Sequence, residues 1–241
     1  MVFKRKNGRK NDETREITAK VGVVKNADGS AYFKIGATEA YAAVYGPRDL
    51  YPRFKKNPAK GVLRCNYNML PFSGMGERVR PGPSRRSREI SMVTEKAFAP
   101  VVMLENFPNT AVDVFIELTS TDAGSRCAGI CAASMALAHA GIPMKDLVVA
   151  ISMGSIGKDV IIDLDYDEEA TEDEDVADIP VAVIPRTKEI TLLQMDGKIT
   201  KDMLKDGFKK LMPVVDKIFE IQKQAIKANF KNGEKDVEQG I

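Results

Sequence analysis

The stretch between residues 128 and 140 is almost wholly small or apolar, and Gly141 and Pro143 follow it. Such a composition predicts a buried helix, and the glycine and the proline predict its end. Before it, apolar residues alternate along 112–118, which predicts a strand with one apolar face. A strand, a short turn and a buried helix therefore stand at the centre of the chain, and the other elements have to be arranged around them.

The turn itself, TDAGSR at 121–126, carries residue types that bind anions. Gly124 loosens the backbone, and Ser125 is placed to cap the helix. A helix N-terminus presents unpaired N–H groups and partial positive charge, to which Arg126 adds a full charge and a planar fork. This arrangement favours the binding of a phosphate group. The structural alternative is that Ser125 only caps the helix and Arg126 pairs with a surface carboxylate.

The overall composition is ordinary for a soluble globular protein. Of the 241 residues, 44% are hydrophobic and 29% are charged, and the formal net charge is +2. A chain of this length can bury a substantial core as one large domain or two subdomains. No apolar run approaches the roughly 20 residues of a membrane helix, and no apolar leader opens the sequence. We therefore expect a cytoplasmic protein without a membrane partner.

The cysteines and the single histidine disfavour several catalytic classes. Cys65, Cys127 and Cys131 lack disulfide or zinc-finger spacing, so we expect them to be small buried hydrophobes. His139 ends the buried helix, where packing or an interaction with the helix C-terminus is favoured over catalysis. Mechanisms of the Ser-His-Asp or Cys-His type would depend on that one residue.

Charge is strongly segregated along the chain. Five arginines fall within 78–88, three of them on the first turn of a helix predicted from about 84 to 102. There they oppose the helix dipole, and this local cost indicates an anionic partner, with a solvated basic surface as the alternative. Ten acids with no base fall within 163–178. Most of them fit a solvated loop, but Asp178 abuts a strand, and clustered carboxylates favour a hard cation such as Mg²⁺.

The predicted elements run as several strands and a helix, then again as several strands and a helix. This order predicts an α+β fold of doubled units, with helices packed on mixed sheets. The expected parts are a basic mobile arm, two α+β subdomains and a polar tail, at 1–15, 16–146, 147–230 and 231–241. The last helical region is predicted over about 200–229, with an interruption at Pro213.

Phosphoryl-transfer chemistry fits this inventory of residues. It needs positioning and charge neutralisation more than a protein nucleophile, and none is needed if inorganic phosphate itself attacks. The arginines also suit a single-stranded nucleic acid held by its phosphates. The chain has no Gly-rich loop ending in Gly-Lys-Ser/Thr, which disfavours nucleotide hydrolysis on that scaffold.

Four stretches carry a resemblance to a known family. In chain order they are VLRCNYNMLPFS at 62–73, PSRR at 83–86, DAGSRCAG at 122–129 and ADIP at 177–180. Together they resemble the ribonuclease PH family, most closely the catalytic subunits of archaeal exosome cores, over roughly residues 15–228. The resemblance implies a doubled βαβα-type fold in a hexameric ring that degrades RNA from the 3′ end by phosphorolysis and releases nucleoside diphosphates.

The same resemblance implies partners and ligands. The ring would hold three copies of this chain and three of an inactive paralogue, with RNA-binding cap proteins on top. The ligands implied are single-stranded RNA, inorganic phosphate as co-substrate and a divalent metal, Mg²⁺. The implied phosphate-binding residues are Gly124, Ser125, Arg126 and Arg86. The implied RNA contacts are Arg64, Arg85 and again Arg86.

Asp178 would be one of two acidic site residues, as metal ligand or general acid. The second is expected about six residues earlier, which gives Glu172 as a catalytic residue and metal ligand, with Asp173 beside it. The loop is about two residues longer than in relatives, so Glu169 is an alternative.

The sequence therefore predicts a phosphate-dependent 3′→5′ exoribonuclease subunit whose reaction also runs in reverse, adding nucleotides from diphosphates. Two rival functions stay open at this point. One is a non-catalytic, RNA-binding ring subunit, and the other is a stand-alone ribonuclease PH that trims tRNA 3′ ends.

Overall fold

Two β-sheets with helices packed on them make up the part of the chain that the computed structural model describes, residues 5–75, 78–171 and 175–238. The nine strands are β1 Ile17–Val21, β2 Gly29–Ile35, β3 Thr38–Asp49, β4 Val62–Met69, β5 Thr110–Ser120, β6 Val149–Ile156, β7 Asp159–Ile162, β8 Val176–Val183 and β9 Ile190–Leu193. The four α-helices are α1 Arg85–Phe98, α2 Ser125–His139, α3 Tyr166–Glu169 and α4 Lys201–Glu238.

The first sheet has the order β1-β2-β3-β5-β4, and the second has the order β7-β6-β8-β9. All neighbouring strands are antiparallel except β4 and β5, which run parallel. Parallel neighbours need a crossover connection, and α1 supplies it. The α+β class expected from the sequence is confirmed.

Helix α2 lies between the two sheets. It contacts β2, β3 and β5 of the first sheet and β6 and β8 of the second. Every residue from 127 to 137 is buried, as a helix of small and apolar residues requires when both of its faces are covered. The N-terminus of α2 therefore opens where the ends of the two sheets meet, and this places the candidate site.

Residues 5–15 pack against the second half of the chain instead of forming the predicted mobile arm, and residues 1–4 of that arm lie outside the described residues. Within residues 5–15, Arg5 and Arg15 are buried, at 2% and 8% exposure, and both form ion pairs with acids of the second half. The physical reason is the charge segregation noted in the sequence, because the basic segment neutralises the beginning of the acidic one.

Helix α4 continues through Pro213 and on to Glu238, so neither the predicted interruption nor the boundary at 230 is found. A proline inside a helix costs about 3 kcal/mol. Leu211, Val215 and Ile218 are fully buried, and each contributes about 1.5–3 kcal/mol by burial. Packing of the apolar face against the sheets therefore outweighs the proline.

Strand β3 continues through Gly46 and Pro47 to Asp49. Its pairing with β5 shifts register between Tyr45 and Arg48, where Gly46 has φ 119°. A glycine there lets the strand absorb an irregularity and continue. Among the described residues, none of the helices has the length and apolar character needed to cross a membrane.

Candidate active site

The turn before α2 is built around Gly124. This residue is the N-cap of α2 with φ 62°, a left-handed conformation that glycine adopts without strain. Thr38, fully buried at the start of β3, holds the turn in place. Its hydroxyl donates to the carbonyl of Ala123 at 2.7 Å and accepts from the N–H of Asp122 at 2.8 Å.

Ser125 does not cap the helix, contrary to the prediction. Gly124 occupies the cap position and has no side chain, so the helix has no side-chain cap. The first N–H groups of a helix have no partner within it, and residues 124–127 line a pocket. The turn therefore keeps the anion-binding character that a capping serine would have weakened.

The hydroxyl of Ser125 is held instead by a tyrosine. The Tyr67 hydroxyl on β4 lies 3.0 Å from Ser125 Oγ, and both side chains are buried. Burial raises the pKa of Tyr67, so the phenol stays protonated and can donate. The alternating pattern of β4 places Tyr67 on the buried face, and a buried tyrosine hydroxyl needs a partner.

Arg126 projects from the first turn of α2 towards the second sheet. Its Nη1 donates to Oε1 of Gln194, and Nε2 of Gln194 donates to Oε1 of Glu89 at 2.8 Å. The Nη2 atom is 4.0 Å from Glu89 Oε1. The Nε atom is buried and has no hydrogen-bond partner in the described part of the chain. Arg126 is thus oriented but retains donor capacity for an anion.

The arginines near the start of α1 divide into two groups. Arg86 and Arg80 line the same pocket as Arg126, whereas Arg85 is exposed and does not line it. The helix begins with a capping box in which Ser84 and Ser87 exchange hydrogen bonds. This box offsets the unfavourable positive charge on the first turn.

Arg64 lies elsewhere. Its Nε and Nη2 bind the two carboxylate oxygens of Asp113, at 2.6 and 2.7 Å, in a bidentate pair between β4 and β5. Asn68 on the same strand lines the pocket. At about 3.3 Å per residue, Arg64 is about 13 Å from Asn68 along the strand. The fold does not bring Arg64 into the pocket.

Two carboxyl groups line the pocket opposite the arginines. Burial raises the pKa of Asp178 to about 6, although Arg126 and Arg86 act in the other direction. Its Oδ1 is buried without a hydrogen-bond partner among the described atoms. Burial, with the charge of Asp178, raises the pKa of Glu169 to about 7. At neutral pH, the pair can therefore bind and release a proton.

Glu169 is the alternative that the sequence offered for the second acid. It ends α3 and lines the pocket with Asp178. Glu172 and Asp173, the residues predicted first, lie outside the described residues. The choice of Glu172 from its spacing to Asp178 therefore stays a prediction, and Glu169 is the candidate among the described residues.

No group of three or more His, Cys, Asp or Glu side chains with metal-binding geometry occurs among the residues that the structure describes. Two carboxylates suffice for Mg²⁺, however, because it is commonly bound by one or two carboxylates together with substrate phosphates. The unpartnered Oδ1 of Asp178 fits such a role.

The pocket that joins these groups has a volume of about 430 Å³ and continues into a neighbouring cleft lined by Gln194 and Asp196. Sequence reasoning missed Tyr67, Gln194, Glu89 and Ser152. Ser152 is a buried serine of β6 that lines the pocket with no partner for its hydroxyl in the described chain. Its only sequence signal was a polar residue in a strand that is otherwise apolar except for Gly154 and Ser155.

The three cysteines and His139 are held in structural contacts, as the sequence predicted. All three cysteines are free and buried, and burial raises their thiol pKa values. His139 accepts the N–H of Ser30 at Nδ1 and contacts Asn229 at Nε2, at 3.2 and 3.0 Å. It is therefore held at the far end of α2 from the pocket.

Sequence comparison matches this chain to the two domains of the 3′ exoribonuclease family, domain 1 over residues 13–143 and domain 2 over residues 146–210. It is similar to the exosome complex component Rrp41 of Thermococcus kodakarensis, with 47% identity over 235 residues, 98% of this chain and 93% of that protein. The exosome complex component Rrp41 of Methanopyrus kandleri is 46% identical over 226 residues, 94% of this chain and 93% of the relative.

Two solved structures share the fold at low sequence identity. The crystal structure of rice Rrp46 has a TM-score of 0.81 at 21% identity and covers 92% of this chain and 100% of that chain. A chain of the Archaeoglobus fulgidus exosome with RNA bound to the active site has a TM-score of 0.76 at 22% identity, with 90% and 92% covered.

Proposed function

Since the chain belongs to the 3′ exoribonuclease family, we propose that it is the catalytic subunit of an exosome-type ring that shortens RNA from the 3′ end by phosphorolysis. The observation that carries the proposal is a single pocket lined by an uncapped helix N-terminus, three arginines and two carboxyl groups of raised pKa. Phosphate attack on RNA needs each of these groups.

The chemistry exchanges one phosphorus–oxygen bond for another. An oxygen of inorganic phosphate bonds to the phosphorus of the last phosphodiester, and the 3′-oxygen of the preceding nucleotide leaves with a proton. The products are a nucleoside diphosphate and an RNA one nucleotide shorter, and the reverse reaction adds nucleotides. No nucleophile from the protein is needed.

The N–H groups of the turn, the Ser125 hydroxyl and the Arg126 guanidinium would bind the attacking phosphate. Arg86 would bind the scissile phosphate and the attacking one together, and the exposed Arg85 would hold the RNA backbone just outside the pocket. Charge on these groups lowers the repulsion between two phosphates.

Asp178 and Glu169 would supply the proton to the leaving 3′-oxygen and accept it in the reverse reaction, which their raised pKa values allow near neutral pH. When bound, Mg²⁺ would be held by one of these two carboxylates, with Glu172 and Asp173 of the same loop as further candidates, and would neutralise charge on phosphate oxygens while the other carboxyl group transfers the proton.

Relatives named as exosome components support the proposed partners. These are a paralogous inactive subunit alternating with this chain, three of each, together with RNA-binding cap proteins and single-stranded RNA. Arg64 is proposed to contact RNA only after release from Asp113, because both carboxylate oxygens hold it in the free chain. The cytoplasmic location also stays a proposal.

The test is incubation of 3′-labelled single-stranded RNA and Mg²⁺ with the chain alone and with an exosome-type partner subunit, with and without inorganic phosphate. We expect labelled nucleoside diphosphate only when phosphate is present. Removal of the Asp178 carboxyl in Asp178→Asn should lower the rate at least about 100-fold, since it removes a proton donor or metal ligand.

Asp202→Asn on the exposed face of α4 is the matched control and should keep the full rate. Release of monophosphates without added phosphate would mean hydrolysis and would contradict phosphorolysis. No release even with the partner would indicate the non-catalytic ring subunit instead. Full activity of the chain alone as a homohexamer would indicate a stand-alone enzyme.

A further inference from the structure

The basic segment at residues 5–15 has no role in the mechanism above, yet two of its arginines are buried and each binds several acceptors. The side chain of Arg5 has 0% exposure and forms a bidentate pair with Glu168, at 2.7 and 2.8 Å. The same guanidinium donates to the carbonyl groups of Lys10, Glu13, Ile162 and Asp163, at 2.7–3.2 Å. It thus has oxygen acceptors on all sides.

Arg15 forms the second buried contact of this segment. Its Nε and Nη2 bind the carboxylate of Asp163 at 3.1 and 2.7 Å. Its Nη1 donates to the carbonyl of Asp122 and lies 3.4 Å from the carboxylate of the same residue. Arg15 therefore joins the end of β7 in the second sheet to the phosphate-binding turn that leaves the first.

Asp122 completes a closed path. Its Oδ1 accepts the N–H of Tyr166, the first residue of α3, at 3.1 Å. Helix α3 carries Glu168, which Arg5 holds, and Glu169, which lines the pocket. The two walls of the active site, the turn at 122–126 and the helix with Glu169, are therefore connected directly by this hydrogen bond and also through the segment 5–15.

Stability alone is a poor reason for such an arrangement. Burying ion pairs removes charges from water, and replacing them by packed apolar groups is often neutral or favourable. What a multiply bonded guanidinium does provide is a fixed geometry, because its planar fork binds each acceptor in one orientation.

We propose that Arg5 and Arg15 are positioning residues, and that residues 5–15 form a strap that sets Glu169 against the phosphate-binding turn. The inference rests on the proposed function. The two arginines have distinct roles, because Arg15 fixes the turn that binds phosphate whereas Arg5 fixes α3, which carries the acid. Small misplacements of reacting groups are costly, up to about 100-fold in rate for about 1 Å.

The two roles predict that the two arginine variants change different kinetic constants. Arg15→Lys keeps the charge but lacks the fork that reaches Asp122, so KM for phosphate should rise about tenfold with kcat within about threefold. Arg5→Lys cannot bind Glu168 in a bidentate manner, so kcat should fall about tenfold with KM for phosphate within about threefold. Asp122→Ala removes the link between the walls and should change both parameters.

The experiment measures nucleoside diphosphate release by the chain assembled with its partner, over a range of phosphate concentrations, for the wild type and the three variants. Arg186→Lys is the matched control, because that arginine is exposed and pairs with Asp146 only at 3.6 Å. Circular dichroism and the thermal midpoint of each variant report folding. The rise of that midpoint with inorganic phosphate reports phosphate binding independently of turnover.

Separate effects on KM and kcat, with a weaker phosphate-dependent rise of the midpoint in Arg15→Lys, are the expected result. Loss of activity in simple proportion to the folded fraction, or unchanged kinetics in all three variants, would overturn the proposal that residues 5–15 act as a strap. If a buried arginine variant does not fold, Asp122→Ala decides, since its side chain is already 20% exposed. An inactive wild-type assembly would instead count against the proposed function, and the phosphate-dependent midpoints of Arg15→Lys and the wild type would then test the strap.

Discussion

Asp178 carries a carboxylate oxygen that is buried without a hydrogen-bond partner in the described chain, and its cost to the folded state can be estimated. Burial raises the pKa of Asp178 from 3.8 to about 6. The folded state therefore binds this proton more tightly than the unfolded state does. The penalty is absent below the unfolded pKa, grows between about pH 4 and pH 6, and is complete above the folded pKa.

We therefore expect Asp178→Asn to raise the free energy of unfolding. Since one pKa unit corresponds to about 1.4 kcal/mol, the gain should be up to about 3 kcal/mol at about pH 8 and about 1 kcal/mol at about pH 4.5. Urea unfolding at both pH values, with chelator and without phosphate, measures it. A gain that does not depend on pH, or a loss of stability at the higher pH, would show that the buried charge is not the cause.

The sequence predicted which residues meet in this pocket better than it predicted the contacts among them. Arg126, Arg86 and Asp178 line one pocket, as expected for residues that share a phosphate. The prediction that Ser125 caps the helix was wrong, because Gly124, which has a positive φ, occupies the cap position. Gln194, which orients Arg126 from the end of β9, could not be predicted, since only the folded sheet brings it near α2.

At the scale of elements, β6 and β8 together set the position of Asp178, the proposed catalytic acid. Gly154 of β6 pairs with Asp178 of β8. A Cβ at residue 154 would lie 2.1 Å from the carbonyl oxygen of Ala177 and 2.7 Å from Leu164 Cδ1. Because the nearest atom belongs to the backbone, the strand itself would have to move. The absence of a side chain at 154 is what allows β8 to approach.

Gly154→Ala should therefore lower both the stability and the activity of the protein. We expect a loss of about 1–3 kcal/mol of unfolding free energy from overpacking, and a fall in kcat because β8 moves with Asp178. Gly207→Ala on α4 is the control, because its nearest contact, at 2.9 Å, is the sulfur of Met153, near the flexible end of a side chain. Alanine is also the better helix former by about 1 kcal/mol. Denaturant unfolding and the phosphorolysis assay compare them, and equal effects of the two substitutions would contradict this account.

Elements were predictable from the sequence where one local signal dominated. The buried α2 followed from its run of small and apolar residues, and β5 followed from the alternation of apolar residues along 112–118. Helix α4 was predicted to break at Pro213, because a local rule was applied where tertiary packing prevails. The N-terminal segment was misjudged for the same reason, since its charge partners lie 148 to 163 residues further along the chain.

At the scale of the molecule, the two family domains meet between residues 143 and 146, but they do not form separate cores. One continuous cluster of buried side chains includes Ile116 of the first sheet, Met135 of α2 and Ile151 of the second sheet. Helix α4 adds to it by contacting β1 on one side and β6 on the other. Neither half can bury its apolar face without the other.

A shared core predicts a single cooperative unfolding transition. The calorimetric enthalpy should equal the van't Hoff enthalpy, and amides of β3 and β6 should exchange hydrogen with the same global free energy. Met135 of α2 is fully buried, so Met135→Ala should lower this global free energy by about 2–5 kcal/mol for amides of both sheets. Leu193→Ala, at 49% exposure on the edge strand β9, should lower it far less. If amides of β6 exchanged through an opening of lower free energy while those of β3 stayed protected, the two halves would be independent folding units. A site built from both halves would then be assembled by docking rather than by folding.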